Sequence, residues 1–486
     1  MSNLAAVRGE KNPILVMKFG GTSVGDAAAV QSAVNIVERE RRRLPQTAVV
    51  LSAMSGVTNL LLDSAAKAVA GDREVGARTA RELEDRHLQT ARTLISDQQR
   101  LEGLAEEVAA LCHDLRSLLE AISVLGEATP RALDAVASYG ERLSIRLFAA
   151  VLQDQGIPAE YIESTQLVVT DDHFQAAHPD LAATRRKVQE RVVPVLQRGE
   201  VAVVSGFLGA TPDGIVTTLG RGGSDYSAAI LAAALDAAEV IIWTDVDGVM
   251  TADPRVVPDA QTIPELSYRE LAELAYFGAK VLHPMTIRPV VEQGIDLTIR
   301  NTFNADHPGT RLLPRNRDIR KVIKAVTSIR GQRLITIEGR GMLGVPGVAA
   351  RAFSAVAATG TNVILISQAS SEQSICFAVP SGQADRVVKA LEKTFATELA
   401  DRDIDRIWST DEVVIVTVVG SGMRHTPGVS GRVFGALGDA GVNVIAIAQG
   451  SSEVAISMVI DAADAEKAVR ALHALILEGA VVTQAR

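Results

Sequence analysis

Lys18-Phe19-Gly20-Gly21-Thr22-Ser23-Val24-Gly25 stands between a strand-like apolar run, Ile14–Phe19, and a helix-like run over 27–42. A glycine-rich turn from strand to helix gathers backbone N–H groups and the positive end of the helix dipole, which suits an anion. Glycine lets the backbone approach that anion closely. The lysine precedes the loop, whereas in the phosphate loop G-x-x-x-x-G-K-[ST] it follows, so a P-loop fold is disfavoured. Taken alone, the stretch could also be a tight turn beside a snorkelling lysine.

The same alternation continues outward. Strand-like 48–51 precedes helix-like 59–70, and strands are predicted again at 168–170, 201–205 and 240–244. Such a pattern argues for right-handed βαβ units and a mainly parallel sheet. Residues 72–122 are charged, rich in Leu and Ala and nearly free of Gly and Pro, so they read as helices inserted over about 72–125. Their charged faces, like the run 38–43, read as solvated surface without a function. A Pro- and Gly-punctuated segment, 245–264, leads to a helix over 268–277, and the basic, Pro-interrupted stretch 311–324 reads as a linker. These boundaries predict one large domain over 1–315.

Beyond the linker the chain repeats itself. Pro346-Gly347-Val348, Asn362, Gln368 and Glu372 recur as Pro427-Gly428-Val429, Asn443, Gln449 and Glu453, always 81 positions later. A fixed offset predicts two copies of one βαβ-type module, over 316–405 and 406–486. Inside the first copy Gly339-Arg340-Gly341-Met342-Leu343-Gly344 matches the dinucleotide fingerprint G-x-G-x-x-G. The acidic residue expected about 20 positions on is missing, so a glycine-rich turn is the preferred reading.

Composition bounds the rest. Of 486 residues 47% are hydrophobic and 22% charged, which excludes a mainly disordered chain. Aromatics make up 3% and the net charge is −9, so few stacking surfaces exist and a nucleic-acid backbone is repelled. No apolar run approaches the length of a membrane span, and a cytoplasmic protein without membrane contact is expected. Cys112 and Cys376 have no His neighbours at ligand spacing, so neither a disulfide framework nor a metal site made by the protein is expected.

Three further constellations could carry chemistry. Leu51-Ser52-Ala53-Met54-Ser55-Gly56-Val57-Thr58-Asn59 repeats the strand–loop–helix geometry with hydroxyls. Gly220-Arg221-Gly222-Gly223-Ser224-Asp225 leads into an apolar helix, with Arg221 as a fork for carboxylate or phosphate and Asp225 as an acid or a mere N-cap. Glu141, in Gly140-Glu141-Arg142-Leu143-Ser144, is either an i,i+4 helix partner or a carboxylate for a ligand ammonium. Trp243-Thr244-Asp245-Val246-Asp247-Gly248, with Asp253-Pro254-Arg255, Lys280 and His283-Pro284 downstream, reads as a polar turn able to hold a nucleotide.

Together K-F-G-G-T-S-V, L-S-A-M-S-G-V-T-N, G-E-R-L-S, T-L-G-R-G-G-S-D-Y, W-T-D-V-D-G and K-V-L-H-P resemble, in order, the aspartate kinases of the amino-acid kinase family. The resemblance implies a three-layer αβα kinase fold followed by two ferredoxin-like ACT modules (βαββαβ). It also implies transfer of the ATP γ-phosphoryl group to the β-carboxylate of L-aspartate, with Mg²⁺ bound alongside ATP, as the first step towards lysine, threonine and methionine. Lys18 and Asp225 would be catalytic; Ser52, Thr58, Glu141, Arg221, Gly222, Gly223 and Ser224 would hold aspartate. Lys18, Gly20, Gly21, Thr22, Ser23, Thr244, Asp245, Met250, Arg255 and Lys280 would line the ATP site. The ACT pair resembles the kinase portion of threonine-sensitive aspartokinase–homoserine dehydrogenases. Asn362, Gln368, Asn443 and Gln449 would contact an amino-acid effector, threonine before lysine, in a homodimer or higher homo-oligomer. Too few residues follow the second repeat for a dehydrogenase domain. A kinase of the same fold with another acceptor, or a sensor without activity, are the competing readings; an intact Lys18 and Asp225 speak against the sensor.

Overall fold

The computed structural model describes residues 13–279, 282, 284–314, 322–342, 345–368 and 373–477. They form two compact units, one from 13–249, 264–268 and 282–314, the other from 250–263, 269–279 and the described residues beyond 314.

The first unit is built on strands β1 (Ile14–Phe19), β2 (Gln46–Leu51), β3 (Ala159–Ile162) and β4 (Val201–Ser205). A small ribbon, β5 (Leu208–Ala210) and β6 (Val216–Thr218), precedes β7 (Glu239–Thr244), β8 (Glu265–Ser267), β9 (Asp296–Asn301) and β10 (Thr310–Leu313). The main sheet runs β3-β4-β2-β1-β7-β9-β10-β8, parallel except where β10 meets β9. Leu15, Val16 and Met17 of β1 and Ala48 to Leu51 of β2 are fully buried, as strands covered by helices on both faces must be. This is the expected three-layer αβα arrangement. The order turns at β1, with β2, β4 and β3 on one side and β7 and β9 on the other. Loops at the carboxyl ends of such strands diverge and leave a crevice.

The inserted helices span Val75–Leu94 and Gln98–Leu125 and pack against the helices Val57–Val69 and Pro130–Asp154. Two expectations need correction. Residues 168–170 form no ladder strand, only single bridges from Val169 to Ala210 and Thr170 to Pro179. Of the stretch 311–324 read as linker, residues 311–313 belong to β10, because Thr310, Leu312 and Leu313 are buried in the sheet.

The second unit has strands β11 (Ala325–Glu338), β12 (Leu365–Gln368), β13 (Ser374–Pro380), β14 (Arg406–Val419), β15 (Ala446–Ala448) and β16 (Ala455–Asp461). They run β12-β13-β11-β14-β16-β15, antiparallel throughout. Both repeats therefore share β11 and β14. Residues 332–338 of β11 pair with β13 and with the first half of β14, while 413–419 of β14 pair with β16 and 415–419 also pair with 325–329. The second copy thus takes its fourth strand from 325–329, which precede the first copy's own first strand, 332–338. The ladder shifts register between Ile329 and Gln332, where Gly331 has φ 70°. Helices Val348–Ala358 and Ser381–Thr394 cover the first copy, and Val429–Asp439 and Ala465–Leu477 the second. On the reverse faces Leu334, Leu365 and Ala378 meet Val413, Ile415 and Val459.

The fingerprint-like glycines have a packing cause. A Cβ at Gly339 would lie 2.3 Å from the Asp403 carbonyl oxygen, and one at Gly341 2.5 Å from the Asp403 Cα. Gly344 lies outside the described residues. Helix Tyr268–Tyr276 joins this unit through Glu270, whose carboxylate accepts from the Ser421 amide (2.7 Å) and sits 3.3 Å from the buried Lys324 ammonium.

Candidate functional site

The carboxyl ends of β1, β2 and β7 and the helix after β6 enclose a cleft of about 610 Å³. That is the size of a small-molecule site. Lys18, Gly20, Gly21, Thr22, Ser52, Thr58, Glu141, Arg221, Gly222, Gly223, Ser224, Asp225, Thr244 and Asp245 all line it. Residues as far apart in sequence as Lys18 and Asp245 therefore meet in one cleft.

Lys18 comes from the buried end of β1, between Val50 of β2 and Ile242 of β7. Its ammonium is 2.6 Å from Asp225 Oδ1, an ionic contact without the alignment of a hydrogen bond. Asp225 is not the N-cap: the helix Gly223–Ala234 starts from Gly222 in a left-handed conformation (φ 72°), and Asp225 sits in its first turn. The reading of a lysine snorkelling to solvent fails too, since Lys18 is only 9% exposed.

The two glycine loops touch. The Ser52 amide donates to the Phe19 carbonyl (3.2 Å) and the Gly20 amide to the Trp243 carbonyl (3.3 Å). A Cβ at Gly21 would come within 3.0 Å of the Ala53 carbonyl, so only glycine lets the loops approach this closely without a shift. Ser23 lies within the loop but turns inward, where its hydroxyl accepts from Thr302 at 2.7 Å.

Glu141 is the unusual charge. It lies in the middle of the helix Pro130–Asp154 with 3% exposure, so it is no surface helix pair. Oε1 accepts from the Ala53 amide at 3.1 Å, and Oε2 is buried with no hydrogen-bond partner. Burial pushes its carboxyl up to about 8. The folded state therefore holds a proton that the unfolded chain releases near 4.5. The resulting stability is fully present below about pH 4.5 and is lost as pH rises through about 8. In the absence of ligand, the thermal midpoint should fall over that window, and Glu141→Gln should flatten the fall. Parallel profiles for the two proteins would refute the assignment.

Sequence reasoning missed the segment Gly206-Phe207. Phe207 lines the cleft with φ 64°, a strained conformation for a side-chain-bearing residue. A Cβ at Gly206 would lie 2.7 Å from that of Ser224, and one at Gly223 2.6 Å from the Phe207 ring. A glycine directly after the buried strand β4 was the available signal. Met250 and Arg255 belong to the second unit, where Arg255 pairs with Asp253 at 2.6 Å; Lys280 lies outside the described residues. Gln368, Gln449, Asn362 and Asn443 are exposed at or near the edge strands β12 and β15.

For a metal, the carboxylates lining the cleft are Asp225, Asp245 and the buried Glu141, whose protonated state at neutral pH leaves the first two as the hard-oxygen donors. Among the described residues no group of three or more His, Cys, Asp or Glu could hold an ion. That set fits a cation carried largely by phosphate and water, in the manner of Mg²⁺, and not a cage of side chains. No helix among the described residues is long and apolar enough to cross a membrane.

A sequence profile for the amino acid kinase family matches residues 13–301, and one for the ACT domain matches 335–395 and 416–475. The bifunctional aspartokinase/homoserine dehydrogenase 1, chloroplastic, of Zea mays is 39% identical over 465 residues, 94% of this chain and 50% of that protein. The chain thus spans about half the length of that bifunctional relative. The structure of E. coli aspartokinase III with aspartate and ADP (R-state) is 31% identical, with a TM-score of 0.77 over 95% of this chain and 99% of that one. The same enzyme with lysine and aspartate (T-state) is 32% identical, with a TM-score of 0.75 over 95% and 99%.

Proposed function

Because the chain belongs to the amino acid kinase family, and within it to the aspartokinases, we propose that it transfers the ATP γ-phosphoryl group to the β-carboxylate of L-aspartate. The products are 4-phospho-L-aspartate and ADP. One observation carries the acceptor: Glu141, a buried carboxylate with one oxygen unpartnered, lines the cleft that also holds Lys18 and Arg221. An α-amino acid brings an ammonium for Glu141 and a carboxylate for Arg221.

In this reading Glu141 takes the ammonium, while Arg221, Ser52, Thr58 and the 222–224 turn hold the carboxylates. The attacking carboxylate is already anionic, so no general base is required. Catalysis then consists of positioning the two anions and neutralising charge on the group in transit. Lys18 and the amides of Gly20 and Gly21 meet the phosphoryl oxygens, and Asp225 orients the Lys18 ammonium. Mg²⁺ bound with ATP supplies further neutralisation of phosphate charge, with Asp225 and Asp245 as the carboxylates able to face it. Thr244 and Asp245 carry the nucleotide side of the cleft, with Met250, Arg255 and Lys280 as further candidates.

The paired ACT modules support feedback control by an amino acid, with threonine the first candidate and lysine the second, through Asn362, Gln368, Asn443 and Gln449. Edge strands β12 and β15 leave backbone groups that a second copy could pair with, which favours a homo-oligomer. Incubation with Mg-ATP, aspartate and hydroxylamine should give aspartyl hydroxamate, and glutamate or N-acetylglutamate should not replace aspartate. Threonine should inhibit, with a coupling of about 1–3 kcal/mol. No hydroxamate under any condition would sink the kinase reading; inhibition by lysine alone would replace the effector.

A further inference from the structure

The helical insertion reads in sequence as solvated surface, yet one of its side chains reaches the cleft loops. Arg86, on the helix Val75–Leu94, donates from a single nitrogen, Nη2, to the Gly25 carbonyl (3.2 Å) and the Ser55 carbonyl (2.7 Å). Gly25 closes the first glycine loop and Ser55 stands in the middle of the second. One guanidinium therefore bridges the two loops whose amides and hydroxyls line the cleft.

The contact is built rather than incidental. The loops already press together: a Cβ at Gly25 would lie 3.3 Å from that of Ser55. The turn Thr22–Val24 and the helix after Gly56 both start without a side-chain cap, and the one cap beside the first loop, Asp26 accepting from the Ala29 amide at 2.9 Å, ties that loop only to its own helix. The turn carrying Arg86 is anchored in turn. Leu83, Leu88 and Ala91 are buried in the core, and the Thr79 and Ser64 hydroxyls, 2.7 Å apart, tie this helix to the one that leaves the second loop. A donor fixed on that helix holds the loop before it and the loop beside it in one register. A charged donor to two carbonyls forms stronger bonds than a neutral one.

We propose that Arg86 is a positioning residue that clamps the phosphoryl-side loop 20–25 to the acceptor-side loop 52–59, setting the distance between the two substrates. The inference rests on the kinase reading for its chemistry, though the clamp itself does not. Misplacement by about 1 Å far from the reacting atoms costs about 10²-fold in rate.

Arg86→Ala should lower turnover at saturating substrates by about 10–100-fold, with a thermal midpoint close to that of the parent. Arg86→Lys, a point charge without the fork, should fall between. The guanidinium borders an open surface groove with Arg78, Arg81, Glu82, Asp85 and Gln89, so free guanidinium can reach its place. Millimolar guanidinium chloride, well below denaturing strength, should restore part of the Arg86→Ala activity and leave the parent unchanged, which a merely structural lesion would not do. Amide hydrogen exchange read without substrates should quicken in 20–25 and 52–59 and nowhere else. If the parent itself makes no aspartyl phosphate, the kinase reading fails and the exchange comparison still decides the clamp. Unchanged exchange in both loops, or turnover of Arg86→Ala within about twofold of the parent, overturns it.

Discussion

Lys18→Ala is expected to slow phosphoryl transfer by about 10³-fold while aspartate affinity stays near that of the parent. The asymmetry follows from where the lysine stands. Its ammonium occupies the end of β1, beside the glycine loop and 2.6 Å from Asp225, whereas Glu141 and Arg221, the proposed amino-acid contacts, come from other elements. Removing it takes away a cation that matters most when charge builds on the group in transit. It also strands the Asp225 carboxylate, and a stranded charge destabilises the fold. Adding Asp225→Asn should therefore recover thermal stability without recovering rate, which separates the two effects. Hydroxamate formation at saturating aspartate gives the rate, and calorimetry of aspartate binding gives the affinity. Near-normal turnover in Lys18→Ala would refute the assigned role.

Glu141→Ala should have its effect on the other substrate. A ligand ammonium in that pocket would lose its buried carboxylate partner, and breaking such a pair costs about 3–5 kcal/mol, roughly 10²-fold or more in aspartate affinity. The raised carboxyl adds a second signature. Held protonated up to about pH 8 without ligand, Glu141 must ionise when an ammonium arrives. Aspartate binding at pH 7 should release a proton, visible as a dependence of the binding heat on the buffer's ionisation enthalpy. Glu141→Gln should abolish that dependence. A parent whose binding heat ignores the buffer would remove Glu141 from the ammonium site.

What could be read beforehand was what lies contiguous in the chain. Lys18 to Gly25 and Leu51 to Asn59 each carry strand end, loop and helix start within a few residues, so their convergence on one sheet edge follows from parallel topology; Gly220 to Asp225 makes the same kind of turn, but after β6 of the separate antiparallel ribbon. The repeat was equally visible, because its landmarks recur at one offset. Hidden from sequence were features that depend on distant partners. Arg86 meets carbonyls 61 and 31 residues away, and a backbone acceptor leaves no residue type to recognise. Gly206 owes its identity to Ser224, and Gly339 to the backbone at Asp403, neither of which is near in sequence. The depth of Glu141 was likewise unreadable, since G-E-R-L-S does not say which helix face meets the core. The composition of the second unit also escaped, because 250–263 join it through space: the Thr251 hydroxyl is 2.8 Å from Nε2 of His473, 222 residues on.

The sharing of β11 and β14 sets an order of events during synthesis. Residues 325–329 are made first, but their partners 415–419 emerge only after the whole first repeat has left the ribosome. At about 5–20 residues per second, that interval lasts several seconds. For its duration a five-residue strand end, Ala325 to Ile329, has its neighbour missing, and an unpaired strand edge invites mispairing. The two repeats are thus not beads that fold in turn. A ribosome stalled at residue 405 would hold a first module still without its fourth strand, since 406–413 pair with 332–338, and neither repeat can close its sheet before β14, which serves both, is made.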